Sequence, residues 1–289
     1  MYHLILYRSF TSFLILNDNI NFSFKLFLNS IPLGYNNYMT THLFVRSCYT
    51  LLDSTIRIPE LVSTAKKYGY QSVALTDHHV MHGVARFLHE CKKEGIHPII
   101  GLEVDVFYHE QKVPFLLLAK NNKGYTNLMK LSSMLCDGRE YATYEELIQY
   151  CEHNFLVVYG EGGYFDAELI SEDRTGITQK LALMKSEFPP FDIAISYEET
   201  SLWRSKNAVL KALAKAQGIQ TVALNKIYYL GQKDYETLKV LSAIKQGTTL
   251  RNKNVTPITG RYFLSIPEME QIYDADDLRR TDEIASECH

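Results

Sequence analysis

THLFVRSCYTLLDS (41–54), SVALTDHHVMHGVARF (72–87) and HPIIGLEVDV (97–106) follow one another closely in the chain. With a helical segment between the first two, they read as strand, turn, helix, strand, polar turn, helix, strand. Their polar residues fall where strands end: Arg46 and Ser47, then Thr76, Asp77, His78 and His79, then Glu103. In α/β folds with parallel strands, sites are built at that end.

The rest of the chain repeats the alternation. Ser54 or Thr55 is expected to cap a helix over Pro59–Tyr68, where Ile58, Leu61, Val62 and Ala65 recur at helical spacing and Gly69 stops it. Pro98–Val106 and Val113–Ala119 are expected strands joined by a turn at His109–Lys112, and Asn121–Leu135 an expected helix. Thr143 is placed to cap Tyr144–Cys151. Phe155–Tyr159, Asp192–Ile195 and Thr221–Leu224 are expected strands; Gly176–Phe188, Leu202–Gln217, Tyr235–Gln246, Pro267–Tyr273 and Asp277–Cys288 are expected helices. Apolar strands and Gly-terminated helices predict an α/β fold of parallel strands with outer helices. So many alternations suit a closed barrel better than an open sheet.

A net charge of -3 over 289 residues gives no global drive towards nucleic acid or an anionic membrane. The five cysteines, odd in number and without a CxxC pair, argue for reduced thiols in a cytoplasmic protein and against a zinc knuckle or disulfide framework. Residues 1–38 are rich in Phe, Leu, Ile and Asn, but their apolar runs are too short to span a membrane and no signal-peptide pattern is clear. They are expected to be an extension outside the fold, disordered or mis-started, with Met39 the natural start; a helix or hairpin packed on the barrel is the alternative.

TDHH at 76–79, with His82 a turn later and Glu103 at the next strand end, is the densest metal-like cluster. Imidazoles and carboxylates suit zinc or manganese. The bland reading is that Asp77 caps the following helix and the histidines lie on the surface. GEGG at 160–163 lacks a phosphate-loop frame and reads as a tight turn. Tyr125 reads as helix packing, and Trp203 with Arg204 and Lys206 as a weak surface contact. No nucleophile elbow or catalytic Cys–His spacing stands out.

Several ordered motifs resemble one family. HLFVRSCYTLLDS resembles its HLHVHSxYSLLDG strand, ALTDHHVMHG its AxTDHxxxxG segment, and Gly101-Leu102-Glu103 its GxE strand. Leu117–Ser133 is similar almost position for position to LLAKNxxGYxNLxKLSS. TVALNKIYYLGQKDYETLKVLSAIKQGTTL and RYFLSIPEMEQIY resemble the late strand and helix and the exit from the domain. The family is the PHP (polymerase and histidinol phosphatase) domain that opens the DnaE-type alpha subunit of bacterial replicative DNA polymerase III. The resemblance implies a distorted (β/α)7 barrel over 39–255. It also implies a helical exit segment over 256–289 leading towards a polymerase palm beyond this chain.

Metal-competent members of the family hold two or three ions at the strand ends, where they can stabilise an attacking hydroxide and a leaving oxygen. The resemblance puts the two histidines of the first motif on Phe44 and Arg46. His78, Asp77 and Glu103 keep their places, and Glu161 falls near a further ligand position with a different donor. Pro114 stands where a histidine is expected, and Lys226 and Tyr228 stand where an Asp-x-His pair is expected. Phe cannot ligate, and a permanent guanidinium repels a metal. The expectation is a vestigial site, free of metal, in which Arg46 and Lys226 neutralise Asp77, Glu103 or Glu161.

The parent is then expected to be a DNA-directed DNA polymerase whose magnesium chemistry lies elsewhere, with this domain a scaffold. Its partners would be the rest of the polymerase, other replisome subunits and, through the parent, DNA, with no membrane. The alternative is an active zinc- or manganese-dependent phosphoesterase or 3′–5′ exonuclease. A third reading is a free-standing binding module of the replisome.

Overall fold

The computed structural model describes residues 40–160, 162–197, 203–251 and 259–289. The expectation for residues 1–38, the Glu161 position and the expected domain boundary at 255 lie outside these. The apolar run Ser72–Leu75 (β1) is buried at every residue and pairs in parallel with His97–Tyr108 (β2). Only His109 and Glu110 separate β2 from Gln111–Ala119 (β3), and both have positive φ, 43° and 61°. A two-residue connection with that backbone reverses the chain, so β3 is antiparallel to β2 and also to Asn154–Tyr159 (β5). Phe191–Ser196 (β6) and Gln220–Leu224 (β7) then continue in parallel from β5. Ala142–Thr143 (β4) pairs only with β2, off this path.

The expected strand over 41–45 is too short for a ladder, but it closes the ring. His42 bridges Val73 of β1, and Val45 bridges Ile227 just after β7. Arg46 N donates to Ile227 O at 3.0 Å, and Ala74 N to His42 O at 2.9 Å. This segment with β1, β2, β3, β5, β6 and β7 gives the distorted seven-stave barrel, among the described residues, with one stave reversed by the hairpin.

Helices cover the outside. They are Ile58–Lys67 (α1), Val84–Glu94 (α2), Asn122–Leu135 (α3), Tyr144–Tyr150 (α4), Asp166–Ser171 (α5), Arg174–Glu187 (α6), Trp203–Ala216 (α7) and Tyr235–Lys245 (α8). The sequence reading missed α5, a single short turn with no side-chain cap. Thr143 forms the expected capping box with Glu146. Neither Ser54 nor Thr55 caps α1, whose cap residue is Arg57. Ser54 Oγ instead lies 2.6 Å from Arg46 O and 2.9 Å from Tyr228 O, stapling the barrel's closing seam. Tyr125 packs partly buried on the core, as expected.

Inside the ring, Leu43, Ala74, Ile99, Leu116, Leu118, Val157, Ala194, Val222 and Leu224 form one apolar cluster. Ile266–Ile272 (α9) leads into Ala275–Glu287 (α10), and Ile284, Ala285 and Cys288 join that interior cluster. Polar ties from α10 reach the end of the barrel where parallel strands start. Arg280 pairs with Asp192 at 2.7 and 3.1 Å, Thr221 Oγ1 donates to Asp277 at 2.5 Å, and Thr41 N donates to Thr281 Oγ1 at 2.9 Å. The opposite end, the mouth, is left for the site.

His42 is wedged among Tyr70 and Phe263, with Nε2 2.9 Å from Leu264 O. That contact requires a proton on Nε2, and the buried Nδ1 has no hydrogen-bond partner. Burial therefore pushes the imidazole down to about 4, against the raising effect of the Leu264 carbonyl and Glu268. The unfolded histidine protonates first as pH falls, so stability is full above about pH 6.5 and declines towards pH 4. Roughly 3 kcal/mol of unfolding free energy is expected to disappear across that window. Urea titrations of wild type and His42→Leu at a series of pH values check this; an equal slope in both would refute it.

Candidate functional site

Asp77 follows β1 and is buried. Its Oδ1 accepts Ser47 N and Thr50 Oγ1, each at 2.7 Å, and its Oδ2 accepts Ser47 Oγ at 2.8 Å. Burial pushes this carboxyl up, against the lowering effect of those hydrogen bonds. It does not cap α2, whose cap position is Gly83 without a side-chain bond. Asp77 holds the 47–50 loop onto the mouth.

Glu103, in β2, is a second buried carboxylate of the mouth. Arg46 Nε donates to its Oε2 at 2.7 Å, Nη2 donates to the same oxygen, and Nη1 reaches Asp53 Oδ2 at 3.3 Å. Asp53 is shared with Lys245 of α8 at 2.6 Å. Burial works against the Arg46 charge, but Glu103 and Asp53 outweigh it, and the guanidinium is held well above its usual range. Phe44 lies two residues before Arg46, fully buried, edge-on to Tyr159 and Tyr228 at 6.1 and 5.9 Å. Tyr228 in turn has two guanidiniums near its ring, with Arg46 Cζ 5.1 Å and Arg261 Cζ 5.5 Å from its centroid.

Lys226 is buried, with Nζ 3.9 Å from the Tyr159 ring centroid. Burial, then repulsion from Arg261, pulls its amine down to about 8, with Glu103 opposing. It therefore remains mostly protonated at neutral pH. Gly162, at φ 73°, makes the expected tight turn beside it, where a side chain would meet Nζ at 3.1 Å. Of the two cations expected to neutralise the old ligands, Arg46 bonds Glu103 directly, and Lys226 lies over the Tyr159 ring beside the turn whose Glu161 falls outside the described residues.

The family's metals do not fit this donor set. A dication at the mouth would meet Arg46 and Lys226, each repelling it by about 4 kcal/mol per unit of its charge at about 4 Å and an effective dielectric near 20. Phe44 offers no lone pair, Pro114 stands on β3 opposite Asp105, and Glu103 already accepts two guanidinium donors.

The remaining donors gather beside the mouth in a different grouping. His78 Nε2 is 3.2 Å and His79 Nε2 3.9 Å from Asp105 Oδ2, and the two imidazoles stack at 3.8 Å. Lys112 Nζ lies 3.5 Å from the same carboxylate oxygen. Burial pulls His79 down to about 4, helped by the neighbouring His78 charge. Burial alone would raise Asp105, but its hydrogen bond and charge contact with His78 hold it below the usual carboxylate range. Exposed His82 stands outside this cluster. Asp105 was missed from the sequence, although it lies two residues after Glu103 on one strand and so shares its face.

The PHP domain profile matches residues 42–198. The chain belongs to the PHP domain family. It is 34% identical over 256 residues to the DNA polymerase III subunit alpha of Halalkalibacterium halodurans, covering 86% of this chain and 23% of that protein. It is 33% identical over 257 residues to the Bacillus subtilis subunit of the same name, with the same coverages. The chain thus spans about a quarter of the length of these relatives. A solved amidohydrolase from Chromobacterium violaceum is 14% identical at a TM-score of 0.49, covering 70% of this chain and 96% of that one.

In this PHP barrel, Arg46→Met removes the partner of a carboxylate that is 3% exposed. The expected cost is about 3–5 kcal/mol. Glu103→Gln added to it is expected to recover much of the loss, because the uncompensated charge goes. Chemical denaturation of the two single variants and the double variant measures the coupling; additive costs would refute the pair.

Proposed function

We propose that this chain is the N-terminal PHP portion of a DnaE-type DNA polymerase III alpha subunit, with the family's metal centre closed by protein cations. The observation that carries the reading is the Arg46 guanidinium bonded to Glu103. With its Oε2 engaged twice by a permanent cation, this carboxylate is opposed to holding a second positive centre beside it, as two-metal hydrolysis would require. His78 and Asp77 keep ligand positions as vestiges, while Phe44, Arg46, Pro114, Lys226 and Tyr228 have lost theirs; Glu161 lies outside the described residues.

On this reading the domain is a scaffold within a cytoplasmic polymerase. The similarity to two alpha subunits over 86% of this chain supports that parentage. DNA-directed synthesis then belongs to magnesium-binding carboxylates in a palm elsewhere in the parent. The partners are that remaining polymerase, other replisome subunits and DNA through the parent. Among the described residues no helix is long and apolar enough to cross a membrane.

The second reading, a metal-dependent phosphoesterase or 3′–5′ exonuclease, is favoured only by the His78, His79 and Asp105 grouping. Incubation with end-labelled single-stranded DNA and manganese or zinc separates the two. The scaffold reading expects no released nucleotide, and no primer extension when magnesium and deoxynucleotides are supplied. Manganese-dependent release that vanishes in His78→Ala would overturn it in favour of the nuclease.

A further inference from the structure

We propose that His78, His79 and Asp105 form a rim site for a single divalent transition ion, zinc foremost, sharing only His78 with the family's donor set. This goes beyond the scaffold reading, since the ion would clip two segments together rather than perform hydrolysis.

Two imidazoles and one carboxylate are a zinc-type donor set. A tetrahedral ion with bonds of about 2.0–2.1 Å places neighbouring ligand atoms roughly 3.4 Å apart. The His78–Asp105 and His79–Asp105 separations, 3.2 and 3.9 Å, bracket that value. All three donor atoms lie within 4.8 Å of one another.

The backbone around them is already fixed. His78 N donates to Thr50 Oγ1 at 3.0 Å, and His79 N to Glu103 O at 2.9 Å. Ser132 Oγ donates to His79 O at 2.8 Å. His79 is held at φ 62°, and its ring stacks on that of His78. Asp105 is held in the β2–β3 ladder. Little beyond side-chain rotation is needed to receive an ion, and the side chains, 27%, 15% and 13% exposed, leave room for water as a further ligand.

Two contacts must yield. His79 Nε2 accepts Asp105 N at 3.0 Å, and the ion displaces that bond. Lys112 Nζ, on a side chain 53% exposed, now supplies the positive charge beside Asp105 and can swing into solvent. Lys112 is therefore a competitor of the ion, so removing it should strengthen binding, which adventitious binding to surface histidines would not show.

The untagged chain is titrated with zinc chloride by calorimetry and with cobalt(II) by visible absorption, with circular dichroism confirming that each variant folds. A single equivalent is expected, with a tetrahedral cobalt spectrum. Asp105→Asn and His79→Asn, the latter chosen because Asn tolerates positive φ, should each weaken binding by at least about tenfold. Lys112→Met should tighten it severalfold. Absence of binding overturns this inference and leaves the closed-centre reading standing. Binding that survives Asp105→Asn and His79→Asn but is lost in Glu103→Gln places the ion in the family's centre and overturns both. Binding indifferent to every substitution marks scattered surface histidines and overturns this one.

Discussion

A carboxylate buried as deeply as Glu103 must be neutralised where it lies, and the barrel mouth is arranged around that requirement. Arg46 belongs to the segment that closes the ring, directly after the Val45–Ile227 bridge. Its side chain crosses over the end of β1 to reach Glu103 on β2, so one ion pair ties staves that are not neighbours. The same guanidinium meets Asp53, and Asp53 meets Lys245 of α8, which draws the 47–53 loop and an outer helix to the mouth. Below that pair the mouth becomes apolar, with Phe44, Tyr159 and Tyr228 in edge-on contact.

Much of the barrel could be read from the residues because local chemistry and global fold agree. The run Ser72–Leu75 is apolar or small throughout, which only a strand covered on both sides tolerates. Gly69, Gly95 and Gly218 end helices at φ 84°, 71° and 69°, where a side chain would be strained. What escaped depends on distant contacts or on very short elements. The closing segment is too short for a ladder, and its bridge partners Val73 and Ile227 lie far apart in sequence, so no local pattern marks them. The turn at His109 and Glu110 was visible, but its consequence, a reversed stave, follows only once β3 is known to pair with both β2 and β5.

The site was half legible for a related reason. Phe44, Arg46 and Lys226 stand out in the sequence, because an aromatic ring or a cation is chemically unlike a metal ligand. Asp77 does not, since its three donors come from Ser47 and Thr50, and nothing in the TDHH stretch says that a loop some thirty residues earlier would fold onto it. Asp105 could have been found from strand periodicity alone, and its neighbours on the same face, Glu103 and Phe107, obey it.

On the proposed reading these residues also make the mouth hard to reopen. A histidine restored at position 46 alone would leave Glu103 buried without a permanently charged partner, since imidazole is mostly neutral at physiological pH. A histidine restored at position 44 alone would face the Tyr159 and Tyr228 rings with Lys226 still beside them, and its polar nitrogens would go unsatisfied. Removing Lys226 alone would leave Arg46 and Arg261 near the Tyr228 ring, still hostile to a dication. Each reversal is unfavourable until the others are made, because every one removes a cation or an apolar contact before any metal can supply the compensating charge. On the proposed reading the cations act as a coupled set, each opposing a dication at the barrel mouth.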